Sequence, residues 1–121
     1  MLGFIAAGFA LGATKAIAYG ARGDRGDHSL HAVAMLGLDA LSEELVYRVG
    51  VERVGMRGLG ALGAEPARLA SSILFGLGHA NPIDAAVGGY LYSRAYDAGG
   101  LGLSTLAHLA HNLGVGAGPK L

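Results

Sequence analysis

The sequence predicts an all-α protein, a polytopic transmembrane helical bundle of about five helices with a four-helix core, and three observations carry that expectation. Hydrophobic residues fill 52% of the 121 positions and Asp, Glu, Lys and Arg only 15%, against roughly 25% charged in ordinary soluble domains. A soluble bundle of this size needs a charged outer face, and this chain has too little charge to cover one. Glycine occurs 22 times, which suits helices that pack closely inside lipid, where small residues let backbones approach. The run from Leu30 to Val54 contains no proline and reads as one long helix, yet Ser42-Glu43-Glu44-Leu45-Val46-Tyr47-Arg48 sets two carboxylates and a guanidinium in its middle. The formal net charge is zero and there is no basic stripe, so nucleic-acid binding finds no support. Cysteine is absent, which removes disulfides, thiolate zinc sites and thiol nucleophiles.

Taken in order, residues 1–21 are expected to form an N-terminal transmembrane helix. Residues 2–20 are apolar except Thr14 and Lys15 and long enough for a hydrocarbon core of about 30 Å. Ala16-Ile17-Ala18 resembles a signal-peptide cleavage site, but the positive N-terminal region of such peptides is missing, which favours a retained helix. Gly8-Phe9-Ala10-Leu11-Gly12 fits small-xxx-small packing. Arg22-Gly23-Asp24-Arg25-Gly26-Asp27 reads as a charge-balanced loop rather than an adhesion motif, with Asp27 or Ser29 as N-cap of the next helix. That helix is expected to end among Gly50, Gly55 and Gly58, in a loop carrying Glu52, Arg53 and Arg57. Pro66 suits the first turn of a third helix that runs to His79. Asn81-Pro82 breaks the chain, Asp84 caps a fourth helix over about 85–96, Asp97-Ala98-Gly99-Gly100 turns, and a last helix covers about 102–115. The core domain is placed at 28–117. Loop arginines 53, 57, 68 and 94 against Arg22, Arg25 and Lys120 lean towards a cytoplasmic N-terminus.

Three of these helices deliver polar chemistry. On a helix, Glu44 lies one turn from Arg48 and pairs with it, while Glu43 is rotated by about 100° and lacks that partner. The third helix ends in His79, and the last carries His108, His111 and Asn112, with His108 and Asn112 four apart on one face. A charge at mid-bilayer costs about 2.5–3.5 kcal/mol on insertion scales, and such groups normally satisfy one another around a wet cavity and are functional. Structural readings stand beside this one: a plain Glu44–Arg48 ion pair, a helix-end His79 favoured by the dipole, His108 and Asn112 as interhelical glue, and His111 as a bystander.

Glu43-Glu44-x-x-x-Arg48, Phe75-x-x-x-His79 and His108-x-x-x-Asn112 together resemble the three-motif signature of the CPBP family, the CAAX prenyl proteases and their bacterial relatives, also called the Abi family. Ser71-Ser72-Ile73-Leu74-Phe75-Gly76-Leu77-Gly78-His79-Ala80 agrees with it, and the resemblance covers about residues 30–116. The family usually has Gly directly after the motif Arg, where this chain has Val49 before Gly50, and its members are usually longer. The resemblance implies an intramembrane endopeptidase with a catalytic helical core, integral to a bacterial cell membrane, acting on a membrane-embedded or membrane-associated peptide.

The residues suggest the same chemistry. Glu43 is the general base on a water that His79 helps hold, Asn112 with His108 donates to the oxyanion, and Glu44 with Arg48 fixes the helix face. Because Arg48 pairs with Glu44, Glu43 is expected to keep a raised pKa. The preferred mechanism needs no cofactor; zinc on a carboxylate and two histidines is the alternative, although no His-Glu-x-x-His helix is present. A serine triad built on Ser42, Ser71 or Ser104 lacks a Gly-x-Ser-x-Gly elbow. The non-enzymatic alternative is a membrane scaffold or bacteriocin-immunity protein of the same fold. Substrate, prenylation and oligomeric state are not written in the sequence.

Overall fold

A computed structural model describes residues 1–4, 6–8 and 29–115, and among them the chain is all helix and turn. Ser29 N-caps the first long helix, its hydroxyl accepting from the Ala32 amide at 3.2 Å; Asp27, the other cap expected, and residues 5 and 9–21 of the expected helix at 1–21 lie outside the described residues. Residues 2–4 and 6–8 are helical, with Phe4 packed on the core and a buried Gly8 against the Ala107 carbonyl.

Helix α1 (Leu30–Glu44) does not stop at the glycines. It passes directly into a wider helix, π1 (Leu45–Leu59), hydrogen-bonded five residues back rather than four. The loop expected to carry Glu52, Arg53 and Arg57 is therefore helix. Two features explain the outcome. A Cβ at Gly55 or Gly58 would stand 3.3 Å from the carbonyl five residues earlier, tighter than ordinary contact, so these glycines accommodate the wide turn. Glu52 is fully buried and drawn inward by Arg48 and two serines, which outweighs the weak helix propensity of glycine.

The chain then turns at 60–63, where Ala61 takes a left-handed φ of 53°. Helix α2 (Ala64–Leu77) follows, with Pro66 in its first turn, where its missing N–H has no intrahelical role. Gly78 caps it, and His79 stands just beyond. Helix α3 (Pro82–Val115) begins at the proline itself, three residues earlier than expected, so Asp84 sits inside its first turn rather than capping it. At Gly99 and Gly100 the backbone leaves helical geometry, and Gly100 has a φ of +70°, open to glycine at no steric cost. The element is thus two arms, 82–98 and 101–115, folded antiparallel, as the pairing of Tyr92 with His108 and His111 requires. Helix α2 lies against the first arm through small residues: Gly76 meets Pro82 and Ala86, and Gly89 meets Ser72 and Phe75.

The core is unusual in what it holds. Phe75, Tyr92, Leu103 and alanines 85, 95 and 107 make its apolar part. Arg48, Glu44, Glu52, Ser71, Ser93 and Ser104 are among its largest fully buried side chains. Leu30, Leu38, Val46, Leu59, Ile73, Leu77 and Ile83 face outward instead. No helix among the described residues is long and apolar enough to cross a membrane.

One ionic chain runs through this interior. Arg48 Nε lies 3.4 Å from Glu44 and its Nη1 3.0 Å from Glu52, with Ser71 at 3.0 Å. Steps of four come close to one helical turn, and the long Arg48 side chain between them reaches both Glu44 and Glu52. Removing one partner of a buried pair leaves an uncompensated charge at a cost of about 3–5 kcal/mol. Arg48→Met is expected to lower unfolding stability by about that amount, and an unchanged unfolding midpoint in detergent would refute the account.

A second cluster closes the end near the Gly99–Gly100 reversal. Asp97 takes Arg53 at 2.5 Å and also pairs with Arg68, while Arg68 reaches Glu65 and, at 3.2 Å, the Ser93 hydroxyl. Partial burial disfavours the charged form of Asp97, but the Arg53 and Arg68 guanidiniums outweigh it and hold the carboxyl below its ordinary value. A lowered pKa contributes stability above the unfolded value, about 3.9, and loses it as pH falls through the folded value. An acid titration followed by circular dichroism should therefore show Asp97→Asn with a smaller loss of stability below about pH 4 than the parent chain.

Candidate functional site

The site forms where α1 hands over to π1, where α2 ends, and on the second arm of α3. Placing adjacent carboxylates on one helix sends them in different directions. Glu44 is fully buried, whereas the Glu43 side chain is 36% exposed. The Glu43 Oε2 atom stands 3.6 Å from His79 Nε2 and 3.5 Å from His108 Nε2. Both separations lie just beyond direct hydrogen-bond length and are short enough for a water to bond the two atoms of either pair. His79 is 30% exposed and His108 only 5%, so the group opens to the outside on the Glu43–His79 side.

Each imidazole is held by its other nitrogen. His79 Nδ1 lies 2.6 Å from the Phe75 carbonyl, which only accepts, so in the neutral ring Nδ1 carries the hydrogen. His108 Nδ1 lies 3.0 Å from Glu44 Oε1 in the same sense. Glu44 is fixed in turn by Arg48 and by the Ser104 hydroxyl, which donates to its other oxygen. Both Nε2 lone pairs are thereby turned to the Glu43 carboxylate. Aromatic rings wall the group: Phe75 touches His79 at 4.3 Å and meets Tyr47, Tyr92 and His108 edge-on.

The structure thus brings Glu43, Glu44, Arg48, His79 and His108 into one connected set. Asn112 follows His108 by one turn on the same arm and is half-buried. His111 turns aside to Tyr92 and Asp84. Arg48, expected on Glu44 alone, is shared with Glu52. Glu52, Ser104 and Tyr92 belong to the supporting shell and escape a reading based on motifs. Glu44, Arg48 and Glu52 do repeat every four residues, a signal obscured by the glycines that surround Glu52. Among the described residues no group of three or more His, Asp or Glu side chains is arranged to hold a metal ion.

Against known families, residues 27–114 match the model of the Type II CAAX prenyl endopeptidase Rce1-like family. The chain belongs to that family. No curated protein and no solved structure matches it. Membership makes it a CAAX-type protease at the level of the family, and the three motifs that carry the likeness all fall within the matched span.

The tautomers can be read directly. Ring ¹⁵N NMR of the neutral histidines is expected to find hydrogen on Nδ1 in both His79 and His108, and Glu44→Gln should alter the His108 signal while leaving His79 unmoved. An Nε2–H tautomer for His108 would refute the geometry.

Proposed function

We propose that this chain is an intramembrane endopeptidase that cleaves a peptide bond with a water activated by Glu43 and His79. The observation that carries the reading is the convergence of the Glu43 carboxylate with two oriented imidazoles at 3.5 and 3.6 Å. A water seated there donates one hydrogen to Glu43 and the other to His79 Nε2, leaving its lone pairs to attack a carbonyl carbon. Glu43 takes the proton as the bond forms and returns it to the leaving amine. The oxyanion needs donors, and the amide of Asn112, half-buried one turn beyond His108 on the same arm, supplies them. Because its Nδ1 hydrogen is directed at Glu44, His108 donates from Nε2 only as the imidazolium. Glu44 and Arg48 position this ring and do not touch substrate.

A membrane location is supported by the inverted distribution of side chains, with charge inside and leucine, isoleucine and valine outside. The short helices suit a bundle whose apolar outer surface, rather than any single span, meets lipid. On this reading the substrate is a peptide reaching the membrane, prenylated or not, and no zinc is required.

The test is reconstitution in lipid with prenylated and unprenylated peptides. Glu43→Gln and His79→Ala are expected to abolish cleavage without shifting the unfolding midpoint. Asn112→Ala should lower kcat by about 100- to 1,000-fold, the usual effect of losing an oxyanion donor. Cleavage should survive exhaustive chelation, and zinc-dependent recovery would sink the metal-free mechanism. Persistent cleavage by Glu43→Gln would sink the whole reading and return the chain to a scaffold or immunity role.

A further inference from the structure

Beside the Glu43 set lies a second polar chain that the signature motifs do not contain. Tyr92 and His111 are 1% and 5% exposed. The Tyr92 hydroxyl bonds His111 Nδ1, and His111 Nε2 stands 3.5 Å from Asp84 Oδ2. With the ring hydrogen on Nε2, the nitrogen that faces the Asp84 carboxylate, Nδ1 accepts from the tyrosine. The polar chain then runs from Tyr92 through His111 towards Asp84. It joins the two arms of α3, and it requires Gly88: a Cβ there would come within 2.8 Å of the Tyr92 hydroxyl and 3.1 Å of His111 Nδ1.

The other face of the matter is where the tyrosine ring lies. It is stacked on His108, with centroids 4.4 Å apart and planes 12° from parallel. A single hydrogen bond from His108 Nδ1 to Glu44 fixes one point of the imidazole and leaves the ring able to rock about that point. A parallel ring against its face removes the rocking. We propose that Asp84 and His111 are positioning residues for His108, acting through Tyr92, whose anchored ring holds the imidazole plane and hence the aim of Nε2 at Glu43. This inference rests on the hydrolytic reading for its effect on rate, while its geometric content stands apart from it. Structural glue between the arms would change stability alone; positioning changes His108.

The experiment uses the full chain in lipid or detergent, with ring ¹⁵N NMR of His108 beside kinetics on a peptide that the parent chain cleaves. His111→Ala is expected to shift the His108 ring signal and to lower kcat about tenfold with KM unchanged, within the range caused by small misplacements. His111→Gln, which can accept from Tyr92 and donate to Asp84, should recover most of the rate and the parent signal. Gly88→Ala, a milder change, should displace the hydroxyl and move the His108 signal in the same sense, which keeps the test open should His111→Ala not fold. An unmoved His108 signal in the folded variants overturns the proposal, as does a lost rate that His111→Gln does not restore. If the parent chain cleaves no peptide, the hydrolytic reading fails separately, and the His108 signal alone decides the positioning.

Discussion

The Glu44–Arg48–Glu52 chain is the constraint on which the rest depends. Two carboxylates and a guanidinium inside a helical bundle are tolerable only when every oxygen finds a donor. That demand recruits Ser71 from α2, Ser93 from the first arm of α3, and Ser104 with His108 from the second. Each helix is therefore tied to the same charged axis, and its register against the others is fixed by hydrogen bonds rather than by apolar shape. The small residues at the helix contacts permit this, because the backbones can come close enough for short serine side chains to reach.

The division of labour between two neighbouring acids follows from the same axis. Glu44 belongs to the interior and orients His108; Glu43, one position earlier, emerges at the edge and faces both imidazoles. The proposed hydrolysis needs one carboxylate that is fixed and one that exchanges protons, and adjacent positions on a helix offer both by rotation alone. Membership of the CAAX-type endopeptidase family agrees with this economy of parts, and on the proposed mechanism the buried axis beneath the site is what preorganises it.

Much of this was legible in the residues. Apolar runs, proline and glycine placed four helical rods close to where they stand, and Glu43, His79 and His108 were separable from the background because charged groups in oily helices are costly. Glu52 was not legible, since Gly50, Gly55 and Gly58 read as a helix end while burial and serine donors kept the helix going. Asp84 was read as a cap because local side-chain habits are all that a sequence displays there; Pro82 begins the helix itself. His111 looked idle because its partners, Tyr92 and Asp84, lie across a reversal that no periodicity reveals.

That reversal has a consequence for how the molecule is assembled. Tyr92 and His111 are 19 residues apart, and Glu44 and His108 are 64 apart. Closing the shorter loop loses less chain entropy, so the two arms of α3 can zip together as an independent hairpin that already presents a shaped imidazole platform. The acidic helix, whose contacts with His108 and Ser104 close the longer loops, docks onto that surface at the larger entropy cost. In that order Glu43 meets His79 and His108 in the same step that seats Glu44, Arg48 and Glu52 on their serine and histidine partners.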